Sequence, residues 1–339
     1  MAARSRRVTL RDLAEETGLS QSAVSYALRG LRVPVDTQQR VHEAAERLGY
    51  QADPIARALA SGRTGTVGLL CESLDDLWQQ SVAAAVGTAL LGTGNSTLIV
   101  DVANDPDTER REARRLVDQR VDALITLPAD PGAAHWREIA ASVPVISLGD
   151  ALPHANTAAE IVFDNDRGVR EGLTWFADAG HQRVAFLTPN LDATPDRPAE
   201  QVVRALGHEL GLEVAVVPTP FSLDAASAVV QDLLRRDPRP TGFFCLADSI
   251  AHGVYDAVRE VGLEIPRDVS VIGYDDRPVS RLLHPPLTTF QWPLEDIVRS
   301  LVEQVGLAVD AETRGVRIVH VATRMVRGSV GQAPPPSGG

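Results

Sequence analysis

The sequence predicts two unlike parts: an all-α helix-turn-helix head, then an α/β body of two doubly wound, parallel-sheet subdomains. Three observations lead there. Charge divides the chain: residues 1–65 hold 10 arginines against 7 acids, net +3, while the other 274 residues carry −15. Short amphipathic segments closed by glycine fill the head. Continuous apolar runs alternate with helical stretches through the body. At 339 residues, 44% apolar and 23% charged, the chain has enough hydrophobe for two or three domains.

In the head, Thr9 and Asp12 form a capping-box pattern that opens a helix from Leu10, and Gly18 stops it. Ser20 is a good N-cap for a second helix from Gln21 to Arg29, closed by Gly30. A third runs from about Val35 to Leu48, with Pro34 suited to its first turn and Gly49 after it. Leu10, Leu13, Ala14, Val24, Ala27, Leu28, Val41, Ala44, Ala45 and Leu48 recur at helical spacing. Helices this short are unstable alone, so those faces must bury one another.

Two short helices joined by a tight glycine-containing turn, closed by a third, make a helix-turn-helix unit. Such units place the second helix in the DNA major groove with its early residues at base edges. Here those residues are Gln21 and Ser22, followed one turn later by Ser25 and Tyr26. Gln bonds adenine in bidentate fashion, and Ser serves either base type. Arg4, Arg6, Arg7, Arg29 and Arg32 flank the unit as candidates to neutralise phosphates. A bundle that merely docks on the body is the alternative, but it has no reason to expose so polar a helix start.

Asp53-Pro54 then caps a further segment ending at Ala60. Its length falls well below the ~12–15 residues at which isolated helices become marginal. A twin helix, DNA, or both must order it; on composition alone it is a flexible linker.

The body begins after Gly62. Thr66–Leu70, Thr97–Val100, Ala123–Leu127 and Val143–Leu148 read as short buried strands separated by helices such as Ser81–Leu91 and Thr108–Gln119. A second set follows at Val184–Leu187, Val214–Val217, Gly242–Leu246 and Val269–Gly273. Unbroken apolar strands alternating with helices mean parallel sheets covered on both faces. A cleft is expected at their carboxyl ends.

Several function classes are disfavoured. Cys71 and Cys245 are too few for a disulfide framework or a cysteine-rich zinc module. The eight histidines show no metal-ligand spacing. Gly92-Thr-Gly-Asn-Ser-Thr lacks the third glycine of a dinucleotide fingerprint and precedes a strand. Neither a P-loop nor a nucleophile elbow is present. Met1 to Arg7 has no apolar stretch behind it, and the uncharged run Leu77–Val100 is broken by Gln and a glycine turn. The expectation is a cytoplasmic protein with no membrane span and no cofactor, binding a ligand without chemistry.

Val8–Gly30, Arg40–Tyr50 and Ala56–Leu59 together resemble the LacI/GalR family of transcriptional regulators. In the body, Gly180–Leu187, Ile265–Asp276 and Pro285–Phe290 resemble that family's effector-binding core, of periplasmic-binding-protein type. The resemblance implies DNA contacts from Thr9, Ser20, Gln21, Ser22, Ser25, Tyr26 and Arg29, with Ala56 and Leu59 on a hinge helix in the minor groove. Leu59 corresponds to the leucine that wedges between central base pairs. Tyr26 stands where many members carry a base-reading Arg, and Asp53 where Asn is usual. Effector contacts implied are Trp78, Arg197, Phe221, Asp248 and Asp275.

A carboxylate at 275 accepts two sugar hydroxyls or caps its loop; aromatics at 78 and 221 stack on a ring or fill core. Arg197 lies near a family arginine, in a register uncertain by about two residues. Ala247 and Trp292 replace groups that are polar in many members, which suggests an effector less polar than a simple hexose, or weak induction.

The expected organisation is a head at 1–50, a hinge at 51–62, one subdomain from 63–160 with 291–319, another from 161–290 with 320–330, and a disordered tail at 331–339. The expected protein is a homodimeric, possibly higher-order, repressor reading a pseudo-palindromic DNA operator under a sugar-related small molecule. An activator, a regulator without effector control, and a periplasmic-type binding protein are the alternatives.

Overall fold

Thr9 opens α1 (Leu10–Thr17) with reciprocal hydrogen bonds. The Thr9 N–H donates to Asp12 Oδ2 at 2.7 Å, and the Asp12 N–H donates to Thr9 Oγ1 at 3.3 Å. Gly18 closes it at φ 66°, a left-handed conformation that glycine adopts without steric cost. The Ser20 hydroxyl accepts the Ala23 N–H at 3.1 Å and starts α2 (Gln21–Leu28). In α3 (Val35–Leu48), Pro34 takes the cap position itself rather than the first turn. Leu13, Val24, Ala27, Val41, Ala44 and Ala45 form the buried centre of the three helices. Arg40 and Arg47 tie α3 to α1, through the Thr17 carbonyl at 3.2 Å and Glu16 at 3.3 Å.

The computed structural model describes residues 8–28, 30–31, 33–50, 58, 62–189, 200–311 and 315–335, the side chains of Glu200 and Gln201 apart. Met1–Thr64 and Gly65–Gly339 form separate units.

The second unit begins with β1 (Thr66–Cys71), α4 (Leu77–Gly92), β2 (Ser96–Asp101), α5 (Pro106–Asp118), β3 (Ala123–Thr126), α6 (His135–Ser142), β4 (Val145–Gly149) and β5 (Ala159–Asp164). With β11 (Val316–Val321) these strands make a parallel six-stranded sheet in the order β11-β5-β4-β3-β1-β2. Both faces of the inner strands are buried, while the edge strand β2, expected to be buried, is largely exposed. Val67, Leu69, Cys71 and Ile125 pack with Val82 and Val86 of α4 on one side. Leu70, Leu124 and Val145 pack with Leu116 of α5 and Trp136 of α6 on the other.

Next come α7 (Asn165–Asp178), β6 (Arg183–Thr188), α8 (Glu200–Glu209), β7 (Glu213–Pro218), α9 (Leu223–Leu234), β8 (Gly242–Cys245), α10 (Asp248–Glu260) and β9 (Ser270–Ile272). They build a parallel sheet in the order β7-β6-β8-β9. Phe186 and Phe244 face α7, while Ala185, Leu187 and Phe243 face α9 and α10.

The chain crosses between sheets three times. Two crossings run side by side as an antiparallel ribbon, β10 (Thr289–Gln291) with β12 (Thr323–Met325), flanking α11 (Leu294–Val309). The first crossing comes after Asp164 and the third after Val321, slightly beyond the expected 161 and 320. Ile161 and Val162 are buried and still paired with Leu148 and Gly149, and β5 stays paired with β11 to Asp164 and Val321. The ladder hydrogen bonds therefore carry the first sheet to those residues.

The expected disordered tail also needs correction for residues 331–333. The Gly331 N–H donates to Ser270 Oγ at 3.0 Å, and the Ala333 N–H donates to the Ala179 carbonyl at 2.8 Å. A side-chain hydroxyl on β9 and a backbone carbonyl at the end of α7 hold a Pro/Gly-rich segment that composition alone would leave loose.

Candidate functional sites: an exposed helix and an acidic cleft

The start of α2 is the polar end of the head. Thr9, Ser20, Gln21 and Ser22 are exposed, while Ser25 and Tyr26 are half-buried beneath them. Val24 and Ala27 anchor the opposite face in the core, so packing turns Gln21 and Ser22 outward. Arg29, Ala56 and Leu59 lie outside the described residues, as do Arg4, Arg6, Arg7, Arg32 and Asp53.

In the body, the carboxyl ends of strands from both sheets converge on a cavity of about 140 Å³. A water needs only ~10–15 Å³ on such a scale, so the space takes several waters or one small ring. Glu72, Asp76, Trp78 and Gln79 reach it from the end of β1 and the start of α4. Asp150 and Phe163 follow β4 and close β5, and Thr188, Phe221 and Ala247 come from the second sheet. Tyr274, Asp275 and Trp292 complete the wall.

The aromatic rings form one connected surface. Trp78 meets Phe163 edge-on at 5.2 Å, Phe163 stacks on Trp292 at 4.3 Å, and Trp292 lies 5.4 Å from Tyr274. Tyr274 is seated by Gly168 of α7, where an added Cβ would stand 2.0 Å from its hydroxyl.

Each acid is held by its backbone setting. Asp76 caps α4, accepting the Trp78 N–H at 3.1 Å and the Gln79 N–H at 3.3 Å. The Ser249 hydroxyl, on α10 of the second sheet, donates to Asp76 Oδ1 at 3.1 Å and accepts the Leu77 N–H at 3.1 Å. Glu72 accepts from Gln79 Nε2 at 3.3 Å. Asp275 and Asp276 sit at φ 107° and 50°, two consecutive strained residues of the kind that gather at ligand sites. Arg277 clasps the Asp275 carbonyl, its Nη2 donating at 2.8 Å. Burial pushes the Asp76 carboxyl up against the pull of its hydrogen bonds. Burial, with Asp76 and Asp248 nearby, pushes Asp275 well up, and Arg277 opposes the rise.

Of the expected effector contacts, Trp78, Phe221 and Asp275 line the cavity. Asp248 does not. Its Oδ1 accepts the Thr289 hydroxyl, and its Oδ2 accepts the Ser280 hydroxyl, both at 2.6 Å, with the Arg277 N–H at 2.8 Å also on Oδ2. A carboxylate so engaged organises the loop that carries Asp275. It is fully buried, and burial lifts it to about 6. Arg197 lies outside the described residues. Glu72, Asp76, Asp150 and Asn165 were not anticipated, because a residue just past a strand has no periodicity to betray it; Gln79 in α4 and Phe163 in β5 were also missed. The cavity is also not simply less polar: aromatic faces and carboxylates share it. Among the described residues, no group of histidine, cysteine and acidic side chains could hold a metal ion. None of the described helices is long and apolar enough to cross a membrane.

Comparison with known proteins agrees with this architecture. Residues 173–330 match the family described as periplasmic binding protein-like domain. Catabolite control protein A of Priestia megaterium is 27% identical over 94% of this chain and 97% of its own. The ribose operon repressor of Haemophilus influenzae (strain ATCC 51907 / DSM 11121 / KW20 / Rd) is 28% identical over 87% of this chain and 90% of its own. The crystal structure of the Lac repressor dimer bound to operator and the anti-inducer ONPF superposes with a TM-score of 0.82 at 23% identity, covering 96% of this chain and 99% of that one. With its three-helix head, its two-sheet body and relatives aligned along nearly its whole length, the chain is similar throughout to transcriptional regulators of the LacI/GalR type.

Proposed function

We propose that this protein is a sequence-specific, operator-binding transcriptional repressor whose DNA affinity is set by a small molecule in the body's cleft. The observation that carries the reading is the outward-facing start of α2, with Gln21 and Ser22 exposed on a head of net positive charge. A relative solved as a dimer on operator DNA supports two copies acting on a pseudo-palindromic site. In this reading Gln21 and Ser22 meet base edges; Thr9, Ser20, Ser25, Tyr26 and Arg29 position the helix; and Ala56 and Leu59 enter the minor groove.

Trp78, Phe221 and Asp275 contact the effector, while Asp248 holds the Asp275 loop in place. Because Asp76 faces the cavity and is also gripped by Ser249 of the second sheet, occupancy there bears directly on how the two sheets close. Couplings of this kind are typically ~1–3 kcal/mol, a change of roughly 5- to 150-fold in operator affinity. The reading is of binding without turnover, because the relatives aligned along most of the chain are repressors.

Selection of bound duplexes from random DNA at one fixed salt concentration tests the proposal. Dyad-symmetric sites are expected. Enrichment of no sequence over bulk competitor would overturn it.

A further inference from the structure

The loop that follows β3 lends Leu127 and Pro128 to the cleft wall. It is held from beneath by Glu109, a fully buried residue on α5. Glu109 Oε1 accepts the Ala129 N–H at 2.6 Å, and Oε2 accepts the Asp130 N–H at 3.3 Å. Further along, the Gly132 N–H donates to Asp130 Oδ1 at 2.9 Å, and the Trp136 indole of α6 donates to the Asp130 carbonyl at 3.0 Å.

A second titratable side chain meets Glu109 there. His135, the first residue of α6, places Nε2 3.6 Å from Glu109 Oε2. That nitrogen is buried and lacks a hydrogen-bond partner, and the ring rests on Trp136 with centroids 4.6 Å apart. Among the described residues, no other basic side chain lies within ion-pair distance of Glu109. Asp130 and Glu72 are the charged neighbours of Glu109; Asp130, Arg110 and Glu138 are those of His135. Arg110 and Glu138 are exposed and paired with Asp107 at 3.1 Å and Arg114 at 2.6 Å.

We propose that Glu109 and His135 share one proton at neutral pH, and that this proton latches the loop 127–130 against the cleft. A small turn of the imidazole closes the 3.6 Å gap to a hydrogen bond, with the proton held as O–H···N or as O⁻···H–N⁺. Either form satisfies Nε2 while Oε1 keeps the Ala129 N–H. Without the proton, a full negative charge stays buried under the loop beside Asp130 and Glu72, and opening the loop to water relieves it. Burial, with Asp130 and Glu72 adding to it, raises Glu109 to about 8. Burial lowers His135, and at this separation the two titrate as a pair.

Amide exchange measured by NMR on the full chain tests this, with neither ligand nor DNA present, so the outcome is separate from that of the repressor reading. Opening releases the proton wherever the exposed carboxyl, at its ordinary value of 4.5, has already lost it. The opening constant of the Ala129 and Asp130 amides, corrected for intrinsic exchange, should therefore rise about ten-fold per pH unit from 4.5 to about 8 and level off above. Glu109→Gln, which holds the same shape without a titrating proton, should leave that constant flat. In the unmodified protein the Glu109 carboxyl carbon and the His135 ring nitrogens should titrate in one common step. A flat profile in the unmodified protein, or the same rise in Glu109→Gln, would overturn the latch. A His135 ring that titrates independently of Glu109 would overturn the shared proton.

Discussion

Single residues here divide into those whose role is local and those that depend on distant chain. Gln21 is the first kind: Ser20 caps the helix and the buried Val24 fixes its rotation, so exposure at 21 follows from a few neighbouring residues. Gln21→Ala should cost about 1–3 kcal/mol of binding at one base pair of the operator, measured by competition against single-substitution duplexes. An equal loss on every sequence would assign the side chain to phosphates instead. Glu109 is the second kind. It sits on α5, fully buried, accepting the Ala129 N–H at 2.6 Å and the Asp130 N–H at 3.3 Å, and so it pins the loop that brings Leu127 and Pro128 to the cleft. Burial, with Asp130 and Glu72 adding to it, raises its carboxyl from 4.5 to about 8. Between those values the folded protein keeps a proton that the unfolded chain has released. This contribution to stability is therefore greatest at the acidic end and declines as pH rises through the window. Glu109→Gln should flatten that decline, read as denaturation midpoints across the same range; an unchanged pH profile would refute the assignment.

At the scale of elements, strands β1 to β4 and β6 to β9 were legible as continuous apolar runs; β1, β3, β4, β6, β8 and β9 are buried, whereas β2, expected to be buried, is largely exposed at the sheet edge. Strands β5, β10, β11 and β12 were not legible. The edge strand β11 alternates half-buried and exposed positions, so Arg317 and His320 interrupt its apolar pattern. Helix starts shifted as well: Asp76 caps α4, which begins at Leu77, four residues before the helical run expected from Ser81. Packing between helices was illegible as well. Gly253 of α10 lies against α9, where an added Cβ would come within 2.5 Å of the Ala226 Cβ and 2.9 Å of the Ser227 nitrogen. Neither atom can rotate away, so Gly253→Ala must push the helices apart. A loss of about 1–3 kcal/mol is expected in chemical denaturation, as for other overpacked interfaces; an unchanged midpoint would show that the helices yield freely.

At the scale of the whole molecule, the body is closed by its own last residues. Ser329 is fully buried: its hydroxyl accepts the Thr288 N–H at 2.7 Å and donates to the Val271 carbonyl at 2.6 Å, and its carbonyl accepts the Val271 N–H at 2.9 Å. Ending the chain at Gly328 leaves those groups of β9 and of the residue before β10 unpaired, each at a cost of ~1–3 kcal/mol. The truncated protein should lose several degrees of Tm in a thermal melt; a Tm equal to that of the full chain would mean the segment only decorates the surface.

Taken alone, the sequence determined the three-helix head, the alternation of strand and helix, the family resemblance and the exposed start of α2. All of these rest on caps and periodicities that operate within about a dozen residues. Only the tertiary structure decided which carboxylates share a cavity, that Asp248 supports its wall rather than lining it, and that residues 331–333 are held. Those outcomes depend on hydrogen bonds and packing between residues tens to hundreds of positions apart, such as Ser249 with Asp76, whose meeting no local pattern records.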